Sequence, residues 1–396
     1  MAANNSSSSL WMAVLSLSIG TFALVTTEFL PIGLLSYIAD DFGISPGAAG
    51  FLVTMPGFFA AIAAPICTVA AGTVDRRILL LGFTILLTVS NLIVASASSF
   101  EVAVAGRALL GISVGGFWTF AAAAGRRLVE PQDGNRATSI VMTGISVGTV
   151  VGVPLGSALG SLLGWRLAFF AVAILSLVVV LIQALVLPKI FMTASQSFRD
   201  LARVAGDRKL AVAFAAIALA AGGHFTAYTY LEPHLVRDVG AGPTELGWML
   251  AIFGGAGIAG TFIGERIASK SPPTGTAIVA IAMAASIFAT VCASSNLLIE
   301  SLAVAAWGTA FGAVPVCVQL WTYSASPERF ETSSALTVSM FQIAVAAGSL
   351  GGGFLADGFG IRFAFMAATA LSMFCALLAA ISSFKRSPDY LSGTMK

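Results

Sequence analysis

Four ionisable side chains stand where the surrounding sequence is apolar: Glu28, Arg107, His224 and Glu232. Glu28 lies in "TTEFLPIGLL" (26–35), three residues before Pro31. An ionisable group in such a setting is costly to leave charged, and a carboxyl group there is suited to taking up and giving back a proton. Arginine stays protonated in almost any protein setting, so Arg107, in "GRALLGISVGGFW" (106–118), must face a cavity or an acid partner. His224, Tyr228 and Glu232 recur every four residues, which puts them on one helical face and offers a second titratable path. Proton transfer within an apolar interior is the chemistry these residues suit. Two histidines and scattered acids do not make an enzyme centre. The four cysteines, Cys67, Cys292, Cys317 and Cys375, show no paired spacing for a disulfide or a metal.

A second set is uncharged. Trp118 lies on the face of Arg107, Tyr228 beside His224, Gln319 near Trp321, and Gln342 further on. Hydrogen-bonding and aromatic groups of this kind suit a polar, neutral organic solute.

The elements that must position them follow from composition. Of 396 residues, 58% are hydrophobic and 10% charged, far below the quarter typical of water-soluble domains. Apolar stretches long enough to cross a bilayer as helices recur at 10–38, 47–71, 78–97, 101–125, 137–161, 166–187, 210–236, 244–264, 275–294, 298–325, 333–356 and 361–384. The short alternating segments of a membrane β-barrel do not appear. The first stretch follows "MAANNSSSS", without a basic run ahead of it, and is expected to be a retained span rather than a removed signal. With the amino terminus inside, most Lys and Arg fall on the inner side, including Arg76/Arg77, Arg126/Arg127, Arg208/Lys209 and Lys385/Arg386. That bias predicts both termini in the cytoplasm. The basic residues form no stripe of their own, so no nucleic-acid partner is expected.

Shifting the chain by 196 residues aligns 138–176 with 334–372, superposing Gly152 on Gly348, Gly156 on Gly352, Gly164 on Gly360 and Arg166 on Arg362, and Pro131 meets Pro327. The molecule is therefore expected to be a tandem duplication: a six-helix bundle at 1–187, a cytoplasmic linker at 188–209 and a second bundle at 210–396.

The short motifs carry a resemblance. "GTVDRR" (72–77), with Gly72, Asp75 and Arg76, is similar to the loop signature with which the major facilitator superfamily latches neighbouring helix ends, and a reduced echo, "GTFIGER", is expected in the loop after span 8. "GRALLGISVGGFW" resembles that superfamily's arginine motif. "GISVGTVVGVPLGSALG" (144–160) resembles its antiporter glycine-proline motif, with Gly144, Gly148, Gly152, Gly156 and Gly160 presenting a smooth face and Pro154 weakening the ladder. The chain resembles most the twelve-span drug:proton antiporters, and within them a bacterial group exporting sugars, purine nucleosides or chloramphenicol-like drugs. Span 7, "GGHFTAYTYLEPHL", looks like the sugar exporters, and "WGTAFGAVPV" in span 10 looks like the nucleoside exporters.

The resemblance implies an all-α membrane protein of two pseudo-symmetric bundles in the bacterial cytoplasmic membrane. It would work as a monomer by alternating access, without a cofactor and with the proton gradient as energy source. Proton coupling falls to Glu28, Arg107, His224 and Glu232; solute contact to Trp118, Tyr228, Gln319, Trp321 and Gln342; conformational roles to Gly72, Asp75, Arg76, Gly148, Gly152, Pro154 and Gly156. Import of the solute with protons, or uncoupled facilitation, fits the same architecture. An ATP-driven pump would need a GxxxxGK[ST] loop, and the sequence has none.

Overall fold

The computed structural model describes residues 2–191, 197–293, 296–326 and 330–386. Pro327, the expected counterpart of Pro131, lies outside the described residues. Among these, the chain is helical without strands, and twelve helices are long and apolar enough to cross a membrane: Ser9–Gly33, Pro46–Ala70, Arg76–Ala95, Phe100–Arg127, Pro131–Leu163, Trp165–Val186, Arg208–Val239, Pro243–Ala268, Pro272–Cys292, Leu297–Ala325, Ala335–Phe359 and Ile361–Ser383. They are called spans 1 to 12. It is a multi-pass membrane protein.

Two departures from the sequence expectation have local causes. Span 1 stops at Gly33 rather than 38: Pro31 cannot donate to the ladder, the chain tightens into a 3-10 turn at Leu30–Gly33, and a separate helix follows at Leu35–Phe42. "GTFIGER" is not a loop, because span 8 continues to Ala268 and encloses it. Within the linker, Phe198–Ala205 is a helix started by a capping box between Ser197 and Asp200, with Leu201 and Val204 buried. The Ser197 hydroxyl holds the Asp200 carboxyl below the usual carboxylate range.

Within the first half, the glycines spaced every four residues on span 5 face span 1 along its length. Gly144 abuts Thr21, Gly148 abuts Val25, Gly152 abuts Thr26, Gly156 abuts Leu30 and Gly160 abuts Leu34. A Cβ on Gly148 would stand 2.9 Å from that of Val25. The residues just before Pro154, Gly148–Gly152, form a π-helical turn, the local unwinding expected where a proline removes a donor. The second half repeats the contact, with Gly348 against Gly222 and Gly352 against Thr226, between spans 11 and 7.

The halves meet where span 2 packs on span 11 and span 5 on span 8. The apolar core of the second half extends into the first through Ile32, Leu35, Ala39, Ala49 and Val53. The first half's remaining core forms two further clusters, one around Val14, Leu17, Leu80, Ala124 and Leu128 and one around Leu30, Leu34, Leu52 and Trp165. The molecule thus has a face bearing Arg76, Arg77, Arg126 and Arg127, where the cores are distinct, and an opposite face, formed by residues 34–50, 229–243 and 349–360, where they fuse. These are termed the basic face and the latch face.

Candidate functional site

Proline chemistry builds the centre. Pro31 leaves the carbonyl of Thr27 without its helical donor, and Pro56 does the same to Leu52 on span 2. Arg107 reaches from span 4 and satisfies both: Nη1 donates to the Thr27 carbonyl at 2.7 Å and Nε to the Leu52 carbonyl at 2.6 Å. Its Nη2 donates to the Glu28 carbonyl at 2.6 Å, another acceptor freed where the span 1 helix ends. Charged donors to orphaned buried carbonyls are worth about 1.5–3 kcal/mol each. Arg107 is fully buried, and no ion pair joins it to the Glu28 carboxyl group. The expected acid partner is therefore replaced by main-chain oxygens, with the Glu28 side chain near enough to feel the charge.

Glu28 is 4% exposed. Gln342 Nε2, on span 11 of the other half, donates to its Oε1 at 3.0 Å, and the Trp118 indole lies within reach of the same carboxyl group. The carboxyl is therefore not unpaired. It joins the two halves where span 2 packs tightly on span 11: a Cβ on Gly57 would lie 2.9 Å from the Gln342 carbonyl oxygen.

His224 lies deep in the second half. The Trp307 indole N–H donates to His224 Nδ1 at 3.1 Å, which fixes the imidazole as the neutral tautomer with its proton on Nε2. That Nε2 has no partner among the described residues. Aromatic rings surround it: Phe311 stacks at 3.4 Å between centroids, Tyr228 at 4.7 Å and Phe253 at 5.9 Å. Phe225 adds an edge contact and stacks in turn on Phe29, next to Glu28, at 5.6 Å.

Glu232 does not continue the His224–Tyr228 face, because the helix stops at Tyr228 and resumes as a short turn at Leu231–Pro233. Instead its Oε2 accepts from the Ser36 backbone N–H at 2.9 Å, in the first turn of the helix Leu35–Phe42. A carboxylate from one half thereby caps a helix of the other. Further ties close the latch face: Ser45 Oγ and Gly47 N donate to Asp357 at 2.6 and 2.9 Å, Ser349 Oγ donates to the Gly50 carbonyl at 3.1 Å, and Arg237 meets Asp40 at 3.5 Å.

The remaining expected residues are placed as follows. Gln319 is half-buried, whereas Trp321, two positions on, points away from it into the apolar core of the second half; residues two apart on a helix do not share a face. Gly72 adopts φ +42°, which glycine allows without strain, and Asp75 then caps span 3 through Arg77 N at 3.0 Å while accepting from Ile190 N at 2.8 Å. Arg76 donates to the Ala71, Gly72 and Val74 carbonyls and lies over the Phe120 ring. Apart from Ile190 at the start of the linker these partners belong to the first half, and Arg77 Nη2 donates to the Ala184 carbonyl of span 6 at 2.6 Å, so the motif ties spans 2, 3, 4 and 6 rather than the halves. Pro56, Trp307, Phe311 and His234 are site residues the sequence reading missed; the interval of four between Leu52 and Pro56 was the available signal for the first.

The family model described as Major Facilitator Superfamily matches residues 17–333 and again 210–393. The purine ribonucleoside efflux pump NepI of Shigella dysenteriae is 32% identical over 93% of both chains, and its namesake from Escherichia coli strain K12 is equally similar. The transcription regulatory protein OpdE of Pseudomonas aeruginosa is 32% identical over 97% of both. A bacterial homologue of the lysosomal transporter Spinster, solved inward-facing and occupied, shares the fold with a TM-score of 0.76 at 18% identity, covering 94% of this chain and 96% of that one.

Proposed function

Because the chain belongs to the major facilitator superfamily, we propose that it is a proton-coupled antiporter exporting a small polar organic solute by alternating access. The solute is a sugar, a nucleoside or an amphenicol-type drug, and a purine ribonucleoside is the first of these to test. The observation that carries this reading is the Glu28 carboxyl group: buried at bilayer depth, it is bonded across the halves to Gln342 and stands beside the fixed charge of Arg107.

A proton arriving on Glu28 removes the charge that Gln342 donates to and weakens that tie, so proton and solute bias the facing of the halves differently through one shared space. Arg107 holds the kinked ends of spans 1 and 2 and supplies the counter-charge. The aromatic box around His224 supports a planar heteroaromatic cargo, since stacked rings and an unpartnered imidazole N–H are what a nucleobase would use. The purine ribonucleoside efflux for which NepI is named agrees with that choice. The basic face is placed in the cytoplasm, with both termini, and the latch face outside the bacterial inner membrane. The protein acts as a monomer and draws on the proton gradient.

Counterflow in proteoliposomes tests the cargo: a purine ribonucleoside, a pentose and chloramphenicol are offered in turn with an imposed pH gradient. Gradient-stimulated exchange of one of them is expected. Equilibration that ignores the gradient favours an uncoupled facilitator, a reading helped by the Glu28–Gln342 bond, which a purely structural carboxyl group would also make. Accumulation with proton influx in the same direction favours import.

A further inference from the structure

The proton reading above leaves unused a second group of buried ionisable residues near the latch face. His234 is 1% exposed, its Nδ1 is 2.9 Å from Asp238 Oδ2, and its Nε2 is 3.6 Å from Glu300 Oε1. Glu300, in the first turn of span 10, is fully buried, and neither of its carboxyl oxygens has a hydrogen-bond partner among the described residues. We propose that His234, Asp238 and Glu300 form a proton-binding site of their own, an imidazolium shared by two carboxylates and filled from the latch-face solvent through Asp238.

The proton count follows from the geometry. A neutral imidazole has one N–H and one lone pair, so a neutral His234 would aim its lone pair at one of two carboxylate oxygens. An imidazolium presents N–H to both. Glu300 also needs a counter-charge, because a buried ion left without a partner is costly, and among the described residues His234 is the cationic group paired with it. From span 12 the ring of Phe365, 4.8 Å away, contributes no charge. On His234's own segment, the carboxylate of Glu232 and the guanidinium of Arg237 are turned to Ser36 and Asp40 of the other half.

Access is graded along the cluster: side-chain exposure falls from 31% at Asp238 to 1% at His234 and zero at Glu300. Protons therefore enter at Asp238. The residues His234–Val239 form a π-helical turn, a rare geometry concentrated at functional sites, and this same turn carries Arg237 of the latch. Loss of the proton leaves one of the two carboxylates facing a lone pair, so the segment loosened is the one tied to the first half. The site reports the pH outside the latch face to the latch. It does not rest on Glu28 being the coupling group.

Only two histidines exist in the chain, so nitrogen-15 labelling of histidine in the full-length His224→Gln variant, held in lipid nanodiscs, leaves a single ring to observe by NMR. Both ring nitrogens are expected to be protonated at pH 7. Glu300→Gln should lower the pH at which the ring loses its proton by about 1–3 units. Asp238→Asn, at a partly exposed position, should move it in the same direction and serves as the readout if Glu300→Gln does not fold. A neutral ring at pH 7 overturns the proposal, as does a deprotonation midpoint that neither folded variant moves.

Discussion

Ser36 and Glu232 are 196 residues apart, the interval that superposes the two halves of the sequence, and they meet: the Ser36 N–H donates to the Glu232 carboxylate at 2.9 Å. Equivalent positions that touch lie on the pseudo-two-fold axis. By the same interval Glu28 corresponds to His224, so each half brings one titratable group to the equivalent place on its first helix. The duplicated scaffold is symmetric, and its chemistry is not.

The trans-cap at Glu232 sets the first prediction. A carboxylate at a helix N-terminus contributes about 1 kcal/mol, so Glu232→Gln should shift the equilibrium towards an open latch face by about fivefold. Spin labels at Ser98 and Thr244, both exposed on the latch face and in opposite halves, should show a longer-distance population that grows by that amount. An unchanged distance distribution would mean the cap does not hold the latch.

Arg107 and Pro56 should be thermodynamically coupled. Arg107→Ala strands three buried carbonyls, at about 1–3 kcal/mol each, and should lower the melting temperature sharply. Adding Pro56→Ala restores a backbone donor for Leu52. The double variant should then be more stable than the sum of the single losses by about 1 kcal/mol or more. Strict additivity in a double-mutant cycle would show that the guanidinium does not serve that carbonyl.

The glycine face of span 5 makes a paired test. Gly152→Val drives a side chain into Thr26 of span 1, whereas Gly351→Val meets nothing within 4 Å. The first should abolish transport and depress thermal stability in detergent; the second should leave both near the starting protein. Equal tolerance at the two positions would contradict the close packing of spans 1 and 5.

Much of the fold was legible because hydrophobic length is a one-dimensional property. Span 7 was expected at 210–236 and runs Arg208–Val239, and the glycines every four residues announced a helix contact, though not that span 1 makes it. The partners of Arg107 were not legible, since they are main-chain oxygens exposed by prolines on two other helices, and a sequence places side chains more readily than orphaned carbonyls. Glu232 was assigned to the face of His224 by helical spacing; the break after Tyr228 re-aimed it across the halves. Trp321 was joined to Gln319 by proximity in sequence where helix geometry separates them. His234 and Glu300 went unnoticed because each looks interfacial alone, and only their meeting in three dimensions makes a cluster.

The most direct measurement follows proton movement itself. Proteoliposomes carrying an internal pH dye are given an outward or inward gradient of the transported solute, and proton flux is recorded alongside solute flux for the unmodified protein and for Glu28→Gln. Protons should move against the solute in the first case, and in the variant this counter-movement should vanish while solute exchange at equal pH persists. A Glu28→Gln protein that still moves protons with the same ratio to solute would contradict the assignment of coupling to that carboxyl group.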